Sequence, residues 1–390
     1  MIAGGGIIGA STAYFLTQRG FTNVVIVERF KVAGCASGKS GGFLAGGWGD
    51  RRTDQLHRLG FELHEKIAET LGIDSYRRIK TLQVEGSSAR SQSNPLCPWL
   101  DGAKCELMDN DTAQVTPYEL TTKLINEAKK KGAEVLKGEV ANVRNAYEEK
   151  TNAHRVDRVL LKDGRTLACD MFLVALGPWS VLAEDWFADT SSLSVPMEGI
   201  KSSSIVLNHP PGSMQKPFAL FCGEDDRFNT HLEIYPRPDG SIYMCGLGGS
   251  EHCPKNRIIE LTPEMVVPDA KRVKAAVRCF QTYSTSLGKG APDLTAACMR
   301  PAVSDGYPMM GRIPNYSNAF IGCGHNCWGI LWGPISGLAL SELIIDGKST
   351  TVALKHFDPG RFKRKDSNNR TKTKKRGRKD QNGNEVGEQW

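Results

Sequence analysis

The sequence lacks a hydrophobic run long enough to cross a membrane. A spanning helix needs about 20 consecutive apolar residues, and the longest candidates here are interrupted by Gly, Pro or a charged residue. The start also lacks the basic and long apolar segments of a secretory signal, because Met1-Ile2-Ala3 leads directly into glycines. These absences predict no membrane span and an intracellular location, with the cytoplasm favoured, although trimming at the start would hide a targeting peptide.

A disulfide framework is also absent. The cysteine count, 11, is odd, and a chain of 390 residues is far longer than the small domains that disulfides stabilise. We therefore expect reduced thiols. Cys323-Gly-His325-Asn-Cys327 comes closest to a metal motif, but no second ligand pair accompanies it, so no metal is predicted.

Excess positive charge is missing from the body of the chain and lies at its C-terminal end. Residues 361–390 contain 11 Lys and Arg against 4 Asp and Glu, whereas the rest is neutral, with 39 of each class. This composition predicts a disordered tail, and we expect the fold to end near Phe357. Lys372 to Lys379 resembles a nuclear-import or nucleic-acid patch, but such short basic runs also serve only to solvate a surface. The tail leaves a nuclear location and a nucleic-acid partner open.

What is present first is an alternation of strands and helices. Residues 1–3, 8–19 and 24–28 read as strand, helix and strand, and a further helix is predicted over 116–131. Strands are expected around 134–143, 155–161 and 171–175, and another helix from near Pro334 to about Ile345, with the proline in its first turn. Between 195 and 290 the pattern changes to strands such as 232–236 and 241–246, joined by a Pro-Asp-Gly turn. The change predicts a second, β-rich domain.

A dinucleotide-binding motif lies between the first strand and the first helix. Gly4-Gly5-Gly6-Ile7-Ile8-Gly9 fits G-x-G-x-x-G. Gly4 permits the tight turn, Gly6 lets a pyrophosphate approach the backbone, and Gly9 allows close packing of helix on strand. Glu28 follows 19 residues after Gly9, where a carboxylate can accept ribose hydroxyls. The motif disfavours NADP and leaves FAD and NAD open.

A second glycine- and hydroxyl-rich loop follows at residues 36–42 and could contact phosphates from the other side. This loop, so soon after Glu28, resembles the D-amino-acid oxidase superfamily of FAD enzymes, which includes glycine oxidase and sarcosine oxidase. Residues 173–180, 298–311 and 322–337 resemble further segments of that family, to about residue 358.

The resemblance implies an α/β fold with a Rossmann-like FAD-binding domain, discontinuous in sequence, and a second, β-rich substrate domain. The expected boundaries are 1–88, 112–192 and 296–360 for the FAD-binding domain, 89–111 and 193–295 for the substrate domain, and 361–390 for the tail. It also implies FAD as the cofactor and a set of residues that contact it. They are Gly4, Gly6, Ile7, Ile8, Gly9, Glu28, Arg29, Ser37, Ser40, Gly41, Gly42, Val140, Gly177, Trp179, Arg300, Gly324, His325, Trp328, Gly329 and Ile330.

On the substrate side the resemblance implies that Arg300 holds a substrate carboxylate. The alternative is a structural arginine paired with Asp305 or with backbone carbonyls. Glu233 stands where glycine oxidase-like members have a tyrosine, with Tyr235 nearby, and would attract an ammonium group unless its strand turns it towards solvent. His325 could assist proton transfer or only hold the backbone.

The predicted reaction oxidises the C–N bond of a small amine or amino acid by hydride transfer to flavin N5, giving an imine that hydrolyses. The electrons pass either to O2 or to a protein. The resemblance does not decide between them, because the lysine that sarcosine oxidases hold over the flavin for reaction with O2 is missing near Met244. Cys298 lies at or close to the position where sarcosine oxidases attach FAD through a thioether. A covalent flavin is therefore an alternative, but we favour noncovalent FAD. Two alternatives are an NAD-dependent dehydrogenase and a flavin-binding scaffold without catalysis.

Overall fold

The computed structural model describes residues 1–86, 96–214 and 216–362. Its α-helices are α1 (Ile7–Gln18), α2 (Ala36–Lys39), α3 (Asp54–Leu71), α4 (Pro117–Lys130), α5 (Ala183–Trp186), α6 (Lys255–Ile258), α7 (Ala270–Tyr283) and α8 (Gly329–Asp346). Its strands are β1 (Ile2–Ala3), β2 (Val25–Glu28), β3 (Phe43–Ala45), β4 (Arg77–Gly86), β5 (Ala103–Gln114), β6 (Glu134–Lys137), β7 (Val140–Glu148), β8 (Ala153–Leu161), β9 (Thr166–Ala168), β10 (Phe172–Val174), β11 (Met197–Asn208), β12 (Phe218–Cys222), β13 (Glu233–Pro236), β14 (Ser241–Cys245), β15 (Glu251–Cys253), β16 (Leu294–Val303), β17 (Met309–Arg312) and β18 (Ala319–Cys323).

The first sheet has the order β17-β18-β10-β1-β2-β6 within the described residues. Its strands are parallel except for β17, which runs antiparallel to β18. Parallel strands need covered faces, and buried residues such as Ile2 and Ile26 fill the interior beneath the helices. The predicted Rossmann-like sheet is confirmed. The segment predicted as one strand around 134–143 is two strands, because β6 ends in this sheet and β7 begins a separate antiparallel sheet with β8 and β9.

The second sheet is larger and mostly antiparallel, in the order β15-β11-β14-β13-β12-β4-β5-β3, with β16 also paired to β11. The predicted hairpin is present in this sheet, since Glu233 pairs with Cys245 and the strands are joined through the Pro-Asp-Gly turn. The α/β class with a β-rich second part is therefore confirmed. Strands β4 and β16 belong to this sheet, although residues 77–86 and 296–303 were expected in the FAD-binding domain. The domain boundaries remain predictions.

Helix α8 is the central helix of the fold and packs against α1 along a row of glycines. A Cβ atom on Gly333 would lie 2.3 Å from Ile7, and one on Gly337 would lie 2.3 Å from Ser11. The missing side chains therefore let the two helix backbones approach closely. The stretch Asn326–Asp346 has the length and apolar character of a membrane span, and 61% of its most apolar window is buried inside the fold. That burial is typical of the core helix of a globular protein.

Helix α8 begins earlier than the sequence predicted. It starts at Gly329, so Pro334 lies inside the helix, and the expectation that this proline occupies the first turn was wrong. A proline removes the N–H that would bond the carbonyl four residues earlier. Here that carbonyl belongs to Ile330 and accepts instead from His64 Nε2 at 2.9 Å. A histidine from α3 thus compensates for the internal proline.

The C-terminal end of the described chain remains attached to the fold. Arg361 Nε donates to Asp305 Oδ2 at 2.8 Å, and the guanidinium also bonds the carbonyl of Tyr307. Residues 361 and 362 are therefore held by the body, whereas the tail was expected to begin at 361. Residues 363–390, with the basic run from Lys372 to Lys379, lie outside the described residues.

Candidate flavin and substrate site

One cavity of about 560 Å³ lies between the first and second sheets and extends over the carboxyl ends of β1 and β2. In open α/β sheets this edge is where ligands bind. Every residue that the sequence analysis assigned to cofactor or substrate lines the cavity except Gly9. Gly9 lies beneath the loop, where a Cβ atom would be 2.0 Å from the carbonyl oxygen of Gly4. Its position is that of a packing residue, as the motif predicted.

The glycine loop brings bare backbone to the cavity wall. Gly4 has φ +109°, and a Cβ there would lie 2.3 Å from the carbonyl oxygen of Ala175. Gly6 caps α1 without a side chain of its own, and the next amide, that of Ile7, donates to Ser37 Oγ at 2.9 Å. Two neighbouring loops thus meet at the start of α1. Backbone amides and the positive end of a helix make this a place for an anion.

Glu28 ends β2 beside this loop, and its carboxylate is oriented by the backbone. Oε2 accepts from the amide of Gly5 at 2.8 Å, and Oε1 accepts from the amide of Phe30 at 2.7 Å. Each oxygen retains a second lone pair, and the residue lines the cavity. The arrangement fits the acceptance of ribose hydroxyls.

Arg29 and Ser40 offer donors that the described protein does not use. The Arg29 guanidinium lies over the ring of Trp179, 4.5 Å from its centroid, and Nη1 bonds Glu139 Oε1 at 3.1 Å. Arg29 Nη2 and Ser40 Oγ are buried without a hydrogen-bond partner among the described residues. Buried polar groups are normally satisfied. Orphaned donors beside a glycine cradle therefore fit a phosphate-bearing cofactor in this half of the cavity.

The N-terminus of α8 reaches the same cavity from the opposite end of the chain. Gly324, Trp328, Gly329 and Ile330 line the cavity there, and Trp328 is the N-terminal cap of the helix. A helix start carries a partial positive charge. This end of α8 can stabilise negative charge on a group bound across from α1.

The large sheet supplies the other wall of the cavity. Alternate residues of a strand share a face, and Glu233 and Tyr235 both point into the cavity from β13. The Tyr235 hydroxyl donates to Glu233 Oε2, and the Cys245 thiol donates to the same oxygen at 3.4 Å. Burial raises the pKa of the Tyr235 hydroxyl well above its ordinary value, with the Glu233 charge adding to it. The alternative that Glu233 faces solvent was wrong.

Arg300 lines the cavity from β16. Its Nη2 donates to Ser202 Oγ at 3.3 Å, and its Nε is buried without a partner among the described residues. Asp305, the partner considered as an alternative, pairs with Arg361 instead. Within the described part of the chain, neither Arg300 nor Glu233 forms a salt bridge. Arg300 and Glu233 therefore place a cation and an anion, each without an ion-pair partner, on the substrate side of the cavity.

The thiols near these charges are held protonated. Burial raises the pKa of Cys245 well above its ordinary value, an effect that Glu233 reinforces and Arg300 opposes. Burial likewise raises the pKa of Cys298, against the charges of Arg300 and Lys39. A protonated thiol is a poor nucleophile, which is consistent with noncovalent flavin.

His325 is buried at the turn before α8. Burial lowers its imidazole pKa to about 3, and Nε2 lies 3.0 Å from Ser336 Oγ. The imidazole is therefore neutral at physiological pH. Its partner on α8 is a side-chain hydroxyl and not a backbone group, and its role in proton transfer remains a prediction.

Sequence reasoning missed the aromatic lining of the substrate side. Phe43, Trp48 and Phe221 line the cavity with Tyr235 and Trp328. Phe43 and Trp48 come from one segment and Phe221 from a distant one, and only Phe43 stands close to a predicted cofactor loop. The strand that carries Phe221 is apolar throughout, so no local pattern marked the ring that faces the cavity.

Among characterised and curated proteins, several resemble this chain over nearly its whole length. A "Putative oxidoreductase" of Schizosaccharomyces pombe is 26% identical over 92% of this chain and 97% of its own length. The corresponding figures for "Putative oxidoreductase TDA3" of Saccharomyces cerevisiae are 23%, 92% and 94%. The 4-methylaminobutanoate oxidase (formaldehyde-forming) of Paenarthrobacter nicotinovorans is 22% identical over 89% of this chain and 43% of its own length.

Solved structures share the fold. Glycine oxidase from Geobacillus kaustophilus aligns with a TM-score of 0.74 at 19% identity, over 93% of this chain and 98% of that chain. Iminodiacetate oxidase from Chelativorans sp. BNC1 aligns with a TM-score of 0.72 at 19% identity, over 92% and 98%. L-proline dehydrogenase from P. horikoshii aligns with a TM-score of 0.74 at 19% identity, over 92% and 96%.

The family match decides between the cofactors that the glycine motif left open. Residues 1–343 match the family described as FAD dependent oxidoreductase, abbreviated DAO, which confirms the resemblance to the D-amino-acid oxidase superfamily and excludes the NAD-dependent alternative. Since the match covers most of the 390 residues, the chain belongs to this family and is an FAD-dependent oxidoreductase.

Proposed function

We propose that this enzyme oxidises the C–N bond of a small amine or amino acid. The observation that carries the proposal is the pair of unpaired charges on the substrate wall, Arg300 and Glu233. Both residues are half-buried, and neither charge finds an ion-pair partner in the described protein. A wall that presents a guanidinium and a carboxylate in this state suits a ligand bearing both charges. The names of similar proteins support this class of substrate, because they include oxidases of glycine, iminodiacetate and 4-methylaminobutanoate.

Bound FAD would supply the acceptor for a hydride from the carbon next to nitrogen, and the resulting imine would hydrolyse in water. The protein supplies positioning. The fork-shaped guanidinium of Arg300 grips a carboxylate through two parallel hydrogen bonds, and Ser202 holds one arm of the fork. Glu233, fixed by Tyr235 and Cys245, attracts the positively charged part of the substrate.

The walls around this pair of charges exclude water. Phe43, Phe221 and Trp328 cover the substrate side with apolar rings, and a low-polarity environment strengthens the interaction of each charge with the ligand. The carbon–nitrogen bond is thereby held in one orientation. Positioning of this kind accounts for a large part of many enzymatic rate enhancements.

The acceptor that reoxidises the flavin is O2 or a protein carrier. The lysine that sarcosine oxidases use for reaction with O2 is missing near Met244. Met244 is fully buried on the far face of β14, while its neighbours Tyr243 and Cys245 line the cavity. Similar proteins include both oxidases and a dehydrogenase by name. Mixing the reduced enzyme with aerated buffer and following flavin absorbance separates the two acceptors, because a dehydrogenase reoxidises slowly.

The test of the proposal is anaerobic reduction of the FAD-loaded protein by a panel of amines and amino acids. We expect loss of the oxidised flavin absorbance with at least one compound that carries an amine. Reduction should become at least tenfold slower at low substrate concentration in Arg300→Met, because the carboxylate loses its partner. If dithionite reduces the flavin but no panel member does, the proposed substrate class is wrong.

A further inference from the structure

Five aromatic rings line the cavity together with Glu233, and carboxylate binding by Arg300 does not require them. We call Phe43, Trp48, Phe221, Tyr235 and Trp328 the aromatic cage. Phe221 and Glu233 are directly opposed on neighbouring strands, and directly opposed side chains lie on the same face of a sheet. The carboxylate therefore stands beside the rings on one wall.

The rings of the cage support one another. Phe43 stacks on Tyr235 at 5.6 Å between centroids and 10° between planes, and it meets Phe221 edge-on at 5.0 Å. Trp48 lies 5.3 Å from Phe221 and 6.2 Å from Trp328. The Trp48 indole N–H donates to Asp109 Oδ2 at 2.7 Å, which fixes that ring. The cage is thus a formed surface with its π faces and edges held in place.

The two oxygens of the Glu233 carboxylate differ. Oε2 accepts from both the Tyr235 hydroxyl and the Cys245 thiol. Oε1 accepts from no donor within the described part of the chain, and it is not among the buried atoms without a partner. It is therefore open to the cavity. A free carboxylate oxygen beside aromatic rings is the arrangement that binds ammonium groups, above all those with alkyl substituents.

The nitrogen bound in this cage differs from the one that is oxidised. Hydride leaves the carbon only when the adjacent nitrogen has its lone pair, whereas a carboxylate in a cage of rings favours the charged form of its ligand. Arg300 holds the carboxylate end of the substrate, next to the amine that reacts. The cage is left for a second nitrogen farther along the molecule.

We propose that the substrate is an amino acid whose side chain ends in a second, positively charged nitrogen, and that Glu233 and the aromatic cage bind this nitrogen. The proposal rests on the proposed function and names the substrate class of the same site. Lysine-like side chains and their N-methylated forms have the required chemistry.

The first experiment measures binding without turnover, because the ligands lack an amine that can be oxidised. The probes are 6-(trimethylammonio)hexanoate and 7,7-dimethyloctanoate, an isostere that keeps the carboxylate but lacks the positive charge. Each is titrated into the FAD-loaded protein, and binding is followed by flavin absorbance and calorimetry. We expect the cationic probe to bind at least about tenfold more tightly. Glu233→Gln should remove this preference, and Phe221→Leu should reduce it several-fold. Glu251→Gln, which changes an exposed carboxylate paired with Lys201, is the matched control and should preserve it.

The second experiment compares anaerobic flavin reduction by lysine with reduction by 2-aminohexanoate, which has a similar chain without the terminal charge. We expect an apparent Kd at least about tenfold lower for lysine in the unaltered protein and no difference in Glu233→Gln. Equal values for the two amino acids in the unaltered protein overturn the cage inference and leave the proposed function intact. A third outcome is that neither amino acid reduces the flavin, while the protein still binds the cationic probe more tightly than its isostere and loses this preference in Glu233→Gln. The cage inference is then supported, and the proposal of amino-acid oxidation fails.

Discussion

The two walls of the cavity are built on different principles. The cofactor wall consists largely of backbone: a glycine loop, the starts of two helices and a carboxylate held by amides. The substrate wall consists of side chains on sheet strands, among them Arg300, Glu233 and the aromatic cage. Backbone geometry suits one invariant ligand, whereas side chains on a rigid sheet can be exchanged without disturbing the fold. The comparison suggests that the cofactor half tolerates little substitution and that specificity resides in the other half.

The largest expected effect comes from adding one carbon to the cofactor wall. Gly4→Ala places a Cβ 2.3 Å from the carbonyl oxygen of Ala175 at a φ of +109°. We expect FAD affinity to fall at least about 100-fold, since loop and strand must move apart. The ratio of flavin to protein absorbance after purification measures this loss.

A matched variant separates crowding from backbone strain. Gly20→Ala also has a positive φ, +87°, but nothing lies within 4 Å of the added carbon. It should cost only about 1 kcal/mol of stability and retain FAD. Equal retention of flavin by both variants would contradict a rigid cofactor wall.

The next effect is a loss of folding stability in acid that originates where His64 of α3 contacts α8. Burial lowers the pKa of His64 to about 4, from an ordinary 6.5, with the bonds to Ile330 and Leu331 opposing the shift. The unfolded imidazole binds a proton below pH 6.5, and the folded one only below about pH 4. Stability is complete above pH 6.5 and falls as the pH drops towards 4, by up to about 3 kcal/mol.

Urea unfolding at pH 7.5 and 4.5 measures this acid sensitivity. His64→Gln should show a smaller difference between the two pH values, because its amide can still donate to the Ile330 carbonyl but does not bind a proton in this range. His252→Gln, at an exposed histidine paired with Glu198, is the control. If His64→Gln loses as much stability between pH 7.5 and 4.5 as the unaltered protein, the acid sensitivity has another source. Buried His325 is then the next candidate.

On the substrate wall we expect a large effect on ligand binding and a small one on the fold. Arg300→Met should weaken a carboxylate ligand about 100-fold, roughly 2.7 kcal/mol, while FAD content and the urea midpoint stay close to those of the unaltered protein. Arg300→Lys keeps the charge but loses the fork, so it should recover only part of the affinity. Titration of a nonreacting carboxylate by flavin absorbance gives the values. A comparable loss of FAD in Arg300→Met would contradict the separation of the two walls.

The smallest effect tests the contact between the two cofactor loops. Ser37→Ala removes the acceptor for the Ile7 amide at the start of α1, which should cost about 1 kcal/mol of unfolding stability. Thr70→Ala, at a hydroxyl that bonds only the carbonyl of Lys66 in the described part of the chain, serves as the control. A loss no greater than that of the control would show that this contact contributes little.

The contrast between the cofactor wall and the substrate wall also explains which residues could be predicted from the sequence. The cofactor wall is encoded by short segments with strict local requirements, so Gly4, Gly6 and Glu28 could be placed from spacing alone. Arg300 and Glu233 could be named only through a family resemblance, because strands far apart in sequence bring them together. Phe43, Trp48 and Phe221 left no local signal of a shared cage. Pro334 was misplaced because the helix start was read from proline preference, while His64, far away in the chain, makes an internal proline tolerable.

The close packing of α1 on α8 has a consequence for biosynthesis. Residues 7 and 329, at the starts of these helices, contribute to one cavity, so a nascent chain lacking its last quarter has only one of the two helix ends that face the cofactor. Capture of flavin is therefore expected to be a late event, after α8 has left the ribosome and docked. The coenzyme would then join α1 and α8, two helices that lie far apart in the chain, and scarcity of flavin would leave the starts of both exposed to proteolysis.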